Sequence, residues 1–191
     1  MQFIKVVGIL SLVAVCASAF INGTSLNNFT NGTSKDVLIS QRSSIRRGYI
    51  LNEDLGSYYK YQTTPNTWPN ARGICESEGG HLVIINSEKE ASFLLSLMGQ
   101  HPASSLDRRV TTTDYIFIGF HDLFKDWEFV TVLDQTIEAA GYFDWVPGGA
   151  NNAGGNEKCG SLWRNGGLND ITCNFLLTFV CEIPVNACDY D

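Results

Sequence analysis

Residues 145–182 read WVPGGANNAGGNEKCGSLWRNGGLNDITCNFLLTFVCE. Cys159 and Cys173 bracket the centre of this stretch, and Asn151, Asn152, Glu157, Asn169 and Asp170 lie inside or beside the bracket. All five carry oxygen donors, neutral or acidic. Such a set suits a hard cation such as calcium, which takes about 6–8 oxygen ligands. It does not suit zinc, because no His or thiolate cluster has ligand spacing. An open calcium site also holds sugar hydroxyls, so the stretch bears on function as well as on fold. Residues 147–156 are too rich in Gly, Pro and Asn for regular structure. Segments 159–163 and 175–182 read as strands.

On the N-terminal side, the strand pattern continues at 142–145, 129–133 and 115–120. Between the last two lies an acidic loop with Asp122 and Asp126. Residues 99–113 are polar and lack a period, which reads as a long loop. Before them, Ser87-Glu88-Lys89-Glu90 is a capping box that opens a helix whose apolar face is Phe93, Leu94, Leu97 and Met98. An earlier helix follows Thr67 as its cap. Trp68, Ala71 and Cys75 form its buried stripe, Pro69 sits in its first turn, and Gly79-Gly80 stops it. A tyrosine-rich strand at 57–62 precedes it. One strand, two helices, then several strands suggest an α+β domain. Trp127, Trp145 and Trp163 are expected in its core, with room for one exposed aromatic to stack on a saccharide.

The ends and the composition bound the rest. Residues 1–19 read as a secretory signal: Lys5 in the n-region, an apolar stretch from Val6 to Val15, and Ala17-Ser18-Ala19 before the cleavage point. The apolar stretch is too short to span a bilayer comfortably. Residues 20–47 read as a polar stalk with three glycosylation sequons, at Asn22, Asn28 and Asn31. The globular domain is expected over 48–184, with a tail at 185–191. The formal charge of −7 becomes −8 once Lys5 is removed. Such an acidic chain is a poor binder of nucleic acid or anionic membranes. Five cysteines remain after the signal. Secretion makes disulfides their default, and the odd count leaves one thiol free or paired between chains.

Several of these marks together resemble the C-type lectin domain, across residues 58–182. They are Gly80-His81-Leu82, Phe117-Ile118-Gly119-Phe120 (in place of the family's W-I-G-L), Trp145, the Cys159 to Cys173 segment, and Phe179-Val180-Cys181-Glu182. The details are most similar to insect hemolymph lipopolysaccharide-binding lectins, through residues 79–87, 119–123 and 166–170. The resemblance implies two helices with a mixed or antiparallel sheet, and a long irregular binding loop. It also implies bridges Cys75–Cys181 and Cys159–Cys173. With no cysteine for the family's additional N-terminal bridge, the chain is its short form. Cys188 is then left for an intermolecular disulfide linking a dimer, or for a free thiol.

The resemblance further implies a calcium and sugar site. The family uses a Glu-Pro-Asn or Gln-Pro-Asp tripeptide, a later Glu, and a Trp-Asn-Asp motif. The tripeptide here is Gly149-Ala150-Asn151, so Asn151, Glu157, Asn169 and Asp170 are the expected metal and sugar ligands, while Gly149 and Leu168 replace family residues. Glu157 and Asp170 supply only two negative charges, which predicts a weak calcium site. A cis bond before Ala150 would cost about 3–4 kcal/mol, so this bond is expected trans and the loop mobile without metal. Asp122, Asp126 and Asn152, with Glu157, partly match a second, weaker calcium position.

Enzyme chemistry finds no support. His81, His101 and His121 are dispersed, and no H-E-x-x-H or G-x-S-x-G occurs. The expected function is calcium-assisted recognition of microbial surface glycans of the lipopolysaccharide type by a secreted protein in innate immunity. The alternative is a lectin-like domain that binds proteins without calcium or sugar.

Overall fold

The computed structural model describes residues 47–185. In chain order these form β1 (Ile50–Asn52), β2 (Ser57–Asn66), α1 (Trp68–Ser77), β3 (His81–Leu82), α2 (Glu88–Gly99), β4 (Tyr115–His121), β5 (Val130–Thr131), α3 (Ile137–Ala140), β6 (Glu157–Trp163), β7 (Leu168–Thr172) and β8 (Leu177–Pro184). The sheet runs β1-β2-β8-β4-β6-β7, with β3 beside β8 and β5 beside β4. β2 pairs antiparallel with β8, so the two ends of the domain close on each other. β4 and β8 are parallel at Phe117 and Phe179, and the other pairs are antiparallel, which makes the sheet mixed.

Alternation along the central strands explains why two helices are needed. Successive strand side chains point to opposite faces. On β4, Ile116, Ile118 and Phe120 enter a core with Leu94, Leu97 and Met98 of α2, while Phe117 enters a second core with Trp68, Ala71 and Cys75 of α1. On β8, Val180 joins the first core; Leu177, Phe179 and Cys181 join the second. A sheet apolar on both faces requires cover on both. Gly119 stands where β4 meets the chain after β3. Its N–H donates to Val83 O at 2.8 Å, and a Cβ there would lie 2.3 Å from Leu82 O. Close backbone approach is what this glycine serves. Both expected disulfides are formed: Cys75–Cys181 joins α1 to β8, and Cys159–Cys173 joins β6 to the turn after β7.

Several expectations change. Strand β2 extends to Asn66 rather than ending at residue 62. Segment 142–145 is not a strand; Trp145 makes only an isolated bridge to Leu168. The reading at 129–133 shrinks to two residues. Strand β7 is additional: its Asn169 and Asp170 mask a strand pattern that the sheet imposes. A third, single-turn helix, α3, is capped by Thr136 and closed by Gly141 at φ 113°. Thr67 occupies the cap position of α1 without a side-chain hydrogen bond. The capping box is half formed. Ser87 Oγ accepts from Glu90 N, but Glu90 Oε2 accepts from Asn86 N at 2.8 Å rather than from Ser87. The expected signal, the stalk to residue 46 with Asn22, Asn28 and Asn31, and Cys188 lie outside the described residues. No helix among the described residues is long and apolar enough to cross a membrane.

Glu90 is fully buried, and Glu182 of β8 is nearly so. Tyr59 donates to Glu90 Oε1 at 2.5 Å. Ser57 Oγ and Ile84 N donate to Glu182, and His81 Nδ1 lies 3.9 Å from it. Burial, then the neighbouring Glu182 charge, pushes the Glu90 pKa up to about 7. A carboxyl whose folded pKa is raised binds more protons folded than unfolded between the two values. The domain is therefore expected to lose about 2–3 kcal/mol as pH rises from about 4.5 to about 7. In Glu90→Gln this slope should flatten, read from urea midpoints across that range. An unchanged slope would assign it to other groups.

Candidate functional site

Residues 147–156 form the irregular loop expected, and its composition follows from its backbone. Gly148, Ala150, Asn152, Gly154 and Gly155 all have positive φ, a region open to Gly and tolerated by Asn. Ala150, at φ 52°, is the exception and carries strain. The bond before it is trans, since no peptide bond among the described residues is cis. Proline fixes φ near −65°, so it cannot stand at 150 in this conformation. The loop is pinned to β7 at its start, where Val146 N donates to Leu168 O at 3.0 Å and Leu168 N donates to Asp144 O at 2.8 Å. A Cβ on Gly149 would lie 2.8 Å from Val146 Cγ2 and 3.0 Å from Leu168 O. A larger residue there must therefore displace the loop.

Asp170 is the anchor. It is fully buried on β7, and its two oxygens accept the successive N–H groups of Asn151 at 3.1 Å and Asn152 at 2.7 Å. Asn152 Oδ1 accepts from Glu157 N at 3.0 Å, and Glu157 Oε2 accepts from Ala153 N at 2.8 Å. Asn151 Nδ2 donates to Gly148 O. Thus Asn151, Asn152, Glu157 and Asp170 converge. Asn169 follows a different path: its Nδ2 donates to Asp170 O, and its carbonyl accepts from Ser161 Oγ at 3.0 Å. Burial raises the Glu157 pKa, the Ala153 N–H opposes this, and the Asp170 charge raises it further.

These groups fit a calcium ion by chemistry. All offer oxygens, and the two carboxylates repel each other in a setting that a cation would relieve. The same carboxylates already accept loop N–H groups, and no set of three or more His, Cys, Asp or Glu suited to a metal occurs among the described residues.

The acidic loop after β4 meets a cation from β6. Lys158 Nζ lies 3.0 Å from Asp126 Oδ1 and 3.7 Å from Asp122 Oδ2. The neighbouring Asp126 carboxylate raises the Lys158 pKa. Asp122 is buried, accepts from Trp127 N at 2.9 Å, and donates its own N–H to Lys158 O at 3.2 Å. Asp122 and Asp126 therefore meet an ammonium, whereas Asn152 bonds within the other loop. Lys158 went unnoticed in the sequence, where its only signal is its place directly after Glu157.

Of the three tryptophans expected inside, Trp145 packs against the core through Phe120 and Phe129, and Trp163 is half-buried. Trp127 departs from the expectation: it is 55% exposed with φ 70°.

Comparison with known proteins agrees with this architecture. Residues 64–183 match the family described as Lectin C-type domain. The hemolymph lipopolysaccharide-binding protein of Periplaneta americana is 50% identical over 143 residues, covering 74% of this chain and 54% of that protein. The chain spans about half of that relative's length. Salivary C-type lectin 2 of Aedes albopictus is 31% identical over 136 residues, covering 68% of this chain and 85% of that protein. Among solved structures, the cow C-type carbohydrate-recognition domain of CD23, in the presence of a GlcNAc2Man3 oligosaccharide, is similar with a TM-score of 0.58 and 27% identity. It covers 73% of this chain and 95% of that one.

Proposed function

We propose, from the premise that this chain belongs to the C-type lectin domain family, that it is a secreted, non-enzymatic carbohydrate-recognition protein. Its ligands are microbial surface glycans of the lipopolysaccharide type, bound with calcium assistance in innate immune recognition. Residues 1–19 serve as the signal and 20–47 as a stalk glycosylated at Asn22, Asn28 and Asn31. Residues 48–184 are the recognition domain, and Cys188 in the tail links a second copy or stays a thiol. The observation that carries the saccharide reading is the convergence of Asn151, Glu157 and Asp170 at one loop, with Asn169 beside Asp170 on β7.

Those four residues would hold the calcium and the sugar, and a bound ion would supply the positive charge that joins loop oxygens to sugar hydroxyls. Asp122, Asp126 and Asn152, with Glu157, would serve a second ion only where Lys158 gives way. The net charge, −8 once the signal with Lys5 is removed, opposes bulk attraction to anionic lipopolysaccharide, so recognition falls to sugar hydroxyls and this local site. The latch of Asp170 on the loop N–H groups favours a second reading, in which the loop is held without metal and meets a protein partner.

Calorimetry with calcium, then with delipidated bacterial polysaccharide, separates the two. A calcium dissociation constant of about 0.1–1 mM and calcium-dependent polysaccharide binding are expected. No calcium binding at millimolar concentration, together with no polysaccharide binding, favours the protein-partner reading.

A further inference from the structure

We propose that the loop at residues 122–128 presents Trp127, with Phe124 three residues before it, as a stacking platform for the apolar face of a pyranose ring, extending the saccharide site beyond the 147–156 loop. This inference rests on the saccharide reading above.

Phe124 is 83% exposed and Trp127 55%. None of the ring contacts among the described residues involves Trp127, and Phe124 meets only His121, edge-on at 5.2 Å. These rings add little to the core. Trp127 also has φ 70°, a genuine outlier for a bulky residue. A glycine would take that angle without strain.

The conformation is nevertheless held firmly. Trp127 N donates to Asp122 Oδ2, and Asp122 is 2% exposed. Its other oxygen, Oδ1, is buried without a hydrogen-bond partner among the described residues. Lys158 supplies the counter-charge. A strained backbone and a buried carboxylate, together holding up an exposed indole, point to function rather than to folding.

The location says which ligand. Asp122 N bonds to Lys158 O, and Lys158 follows Glu157, whose carboxylate holds Ala153 of the candidate loop. The platform therefore adjoins the saccharide loop through one stretch of β6. Its rings alternate with Lys125, Asp126 and Glu128, two of them paired as Lys125–Glu128. Flat apolar faces interleaved with hydrogen-bonding groups suit a sugar, which presents C–H faces and hydroxyls together. An anionic lipid surface would call for a basic rim, whereas Asp126 and Glu128 outnumber Lys125 in this loop.

The test uses the full secreted chain and a panel of delipidated lipopolysaccharide polysaccharides and mannan, with lipid A vesicles as a separate arm. Trp127→Ala is expected to weaken polysaccharide binding at least 10-fold with an unchanged melting temperature, and Trp127→Phe only a few-fold. Saccharide-induced change in tryptophan fluorescence should vanish in Trp127→Phe. If Trp127→Ala binds within twofold of wild type while Asp170→Ala loses binding, the platform is overturned and the loop reading stands. If Trp127 matters only for lipid A vesicles, the ligand is acyl chain and the pyranose assignment is overturned. If wild type binds no saccharide on the panel, the functional reading fails and this inference with it.

Discussion

Replacing Cys75 and Cys181 together by alanine is expected to lower stability by about 4.7 kcal/mol, the largest effect of any change considered for this fold. The bond joins residues 106 positions apart. In the chain-entropy model a cross-link over about 100 residues restrains the unfolded chain by that amount. Both sulfurs are fully buried among Trp68, Leu82, Phe117 and Phe179, so their loss also loosens the contact of α1 with β8. Typical domain stability is about 5–15 kcal/mol, so this loss removes about a third or more of it and the melting temperature is expected to fall steeply. The Cys159–Cys173 pair closes only 14 residues and is expected to contribute about 3 kcal/mol. Urea titration of the two double variants under non-reducing conditions, with the other bridge intact, checks the order. An equal loss from both would mean that loop length is not what sets their contributions.

The second large effect is expected at Asp170. Asp170→Ala removes the acceptor of two successive N–H groups and leaves a cavity in a fully buried position. Hydrogen bonds to charged groups contribute about 1.5–3 kcal/mol each, and coupling between two on one carboxylate brings the expected loss to about 2–4 kcal/mol. The loss should be local. Without calcium, amide exchange at Asn151 and Asn152 is expected to accelerate at least 10-fold, while β4 and β8 keep their protection. Asp170→Asn retains one acceptor oxygen and should fall between. Unchanged exchange at both amides in Asp170→Ala would mean that the carboxylate does not hold the loop.

Much of the architecture was legible because it is periodic or local. The stripe Trp68, Ala71, Cys75 identifies α1 and the side that it buries, and Ile116, Ile118 and Phe120 identify a strand. The Gly-rich run at 147–156 announces positive φ, which the loop adopts at five positions. Beyond the C-type lectin resemblance, no local signal paired the cysteines, yet both implied bridges are formed.

Other features were hidden for a physical reason. Strand β7 carries Asn169 and Asp170 because their side chains are satisfied by the loop and the neighbouring backbone, so polarity does not exclude them from a buried strand. Glu90 looks like an exposed capping residue, yet Tyr59 and Glu182 arrive from elements 31 and 92 positions away in sequence and enclose it. Trp127 looks like core because indole is apolar, but its backbone N–H is held by the Asp122 carboxylate at φ 70° and the ring is left exposed.

By itself, then, the sequence determined the two long helices, the central strands, the irregular loop and the oxygen donors of the candidate site, since each depends on residues within a few positions of one another. Tertiary structure alone decided that Asp170 latches the loop, that Lys158 comes between Asp122 and Asp126, that Glu90 is buried beside Glu182, and that Trp127 is exposed. These depend on which strands become neighbours and in what register. Register is a cooperative outcome of burying both faces of the sheet, and no short stretch of the chain encodes it.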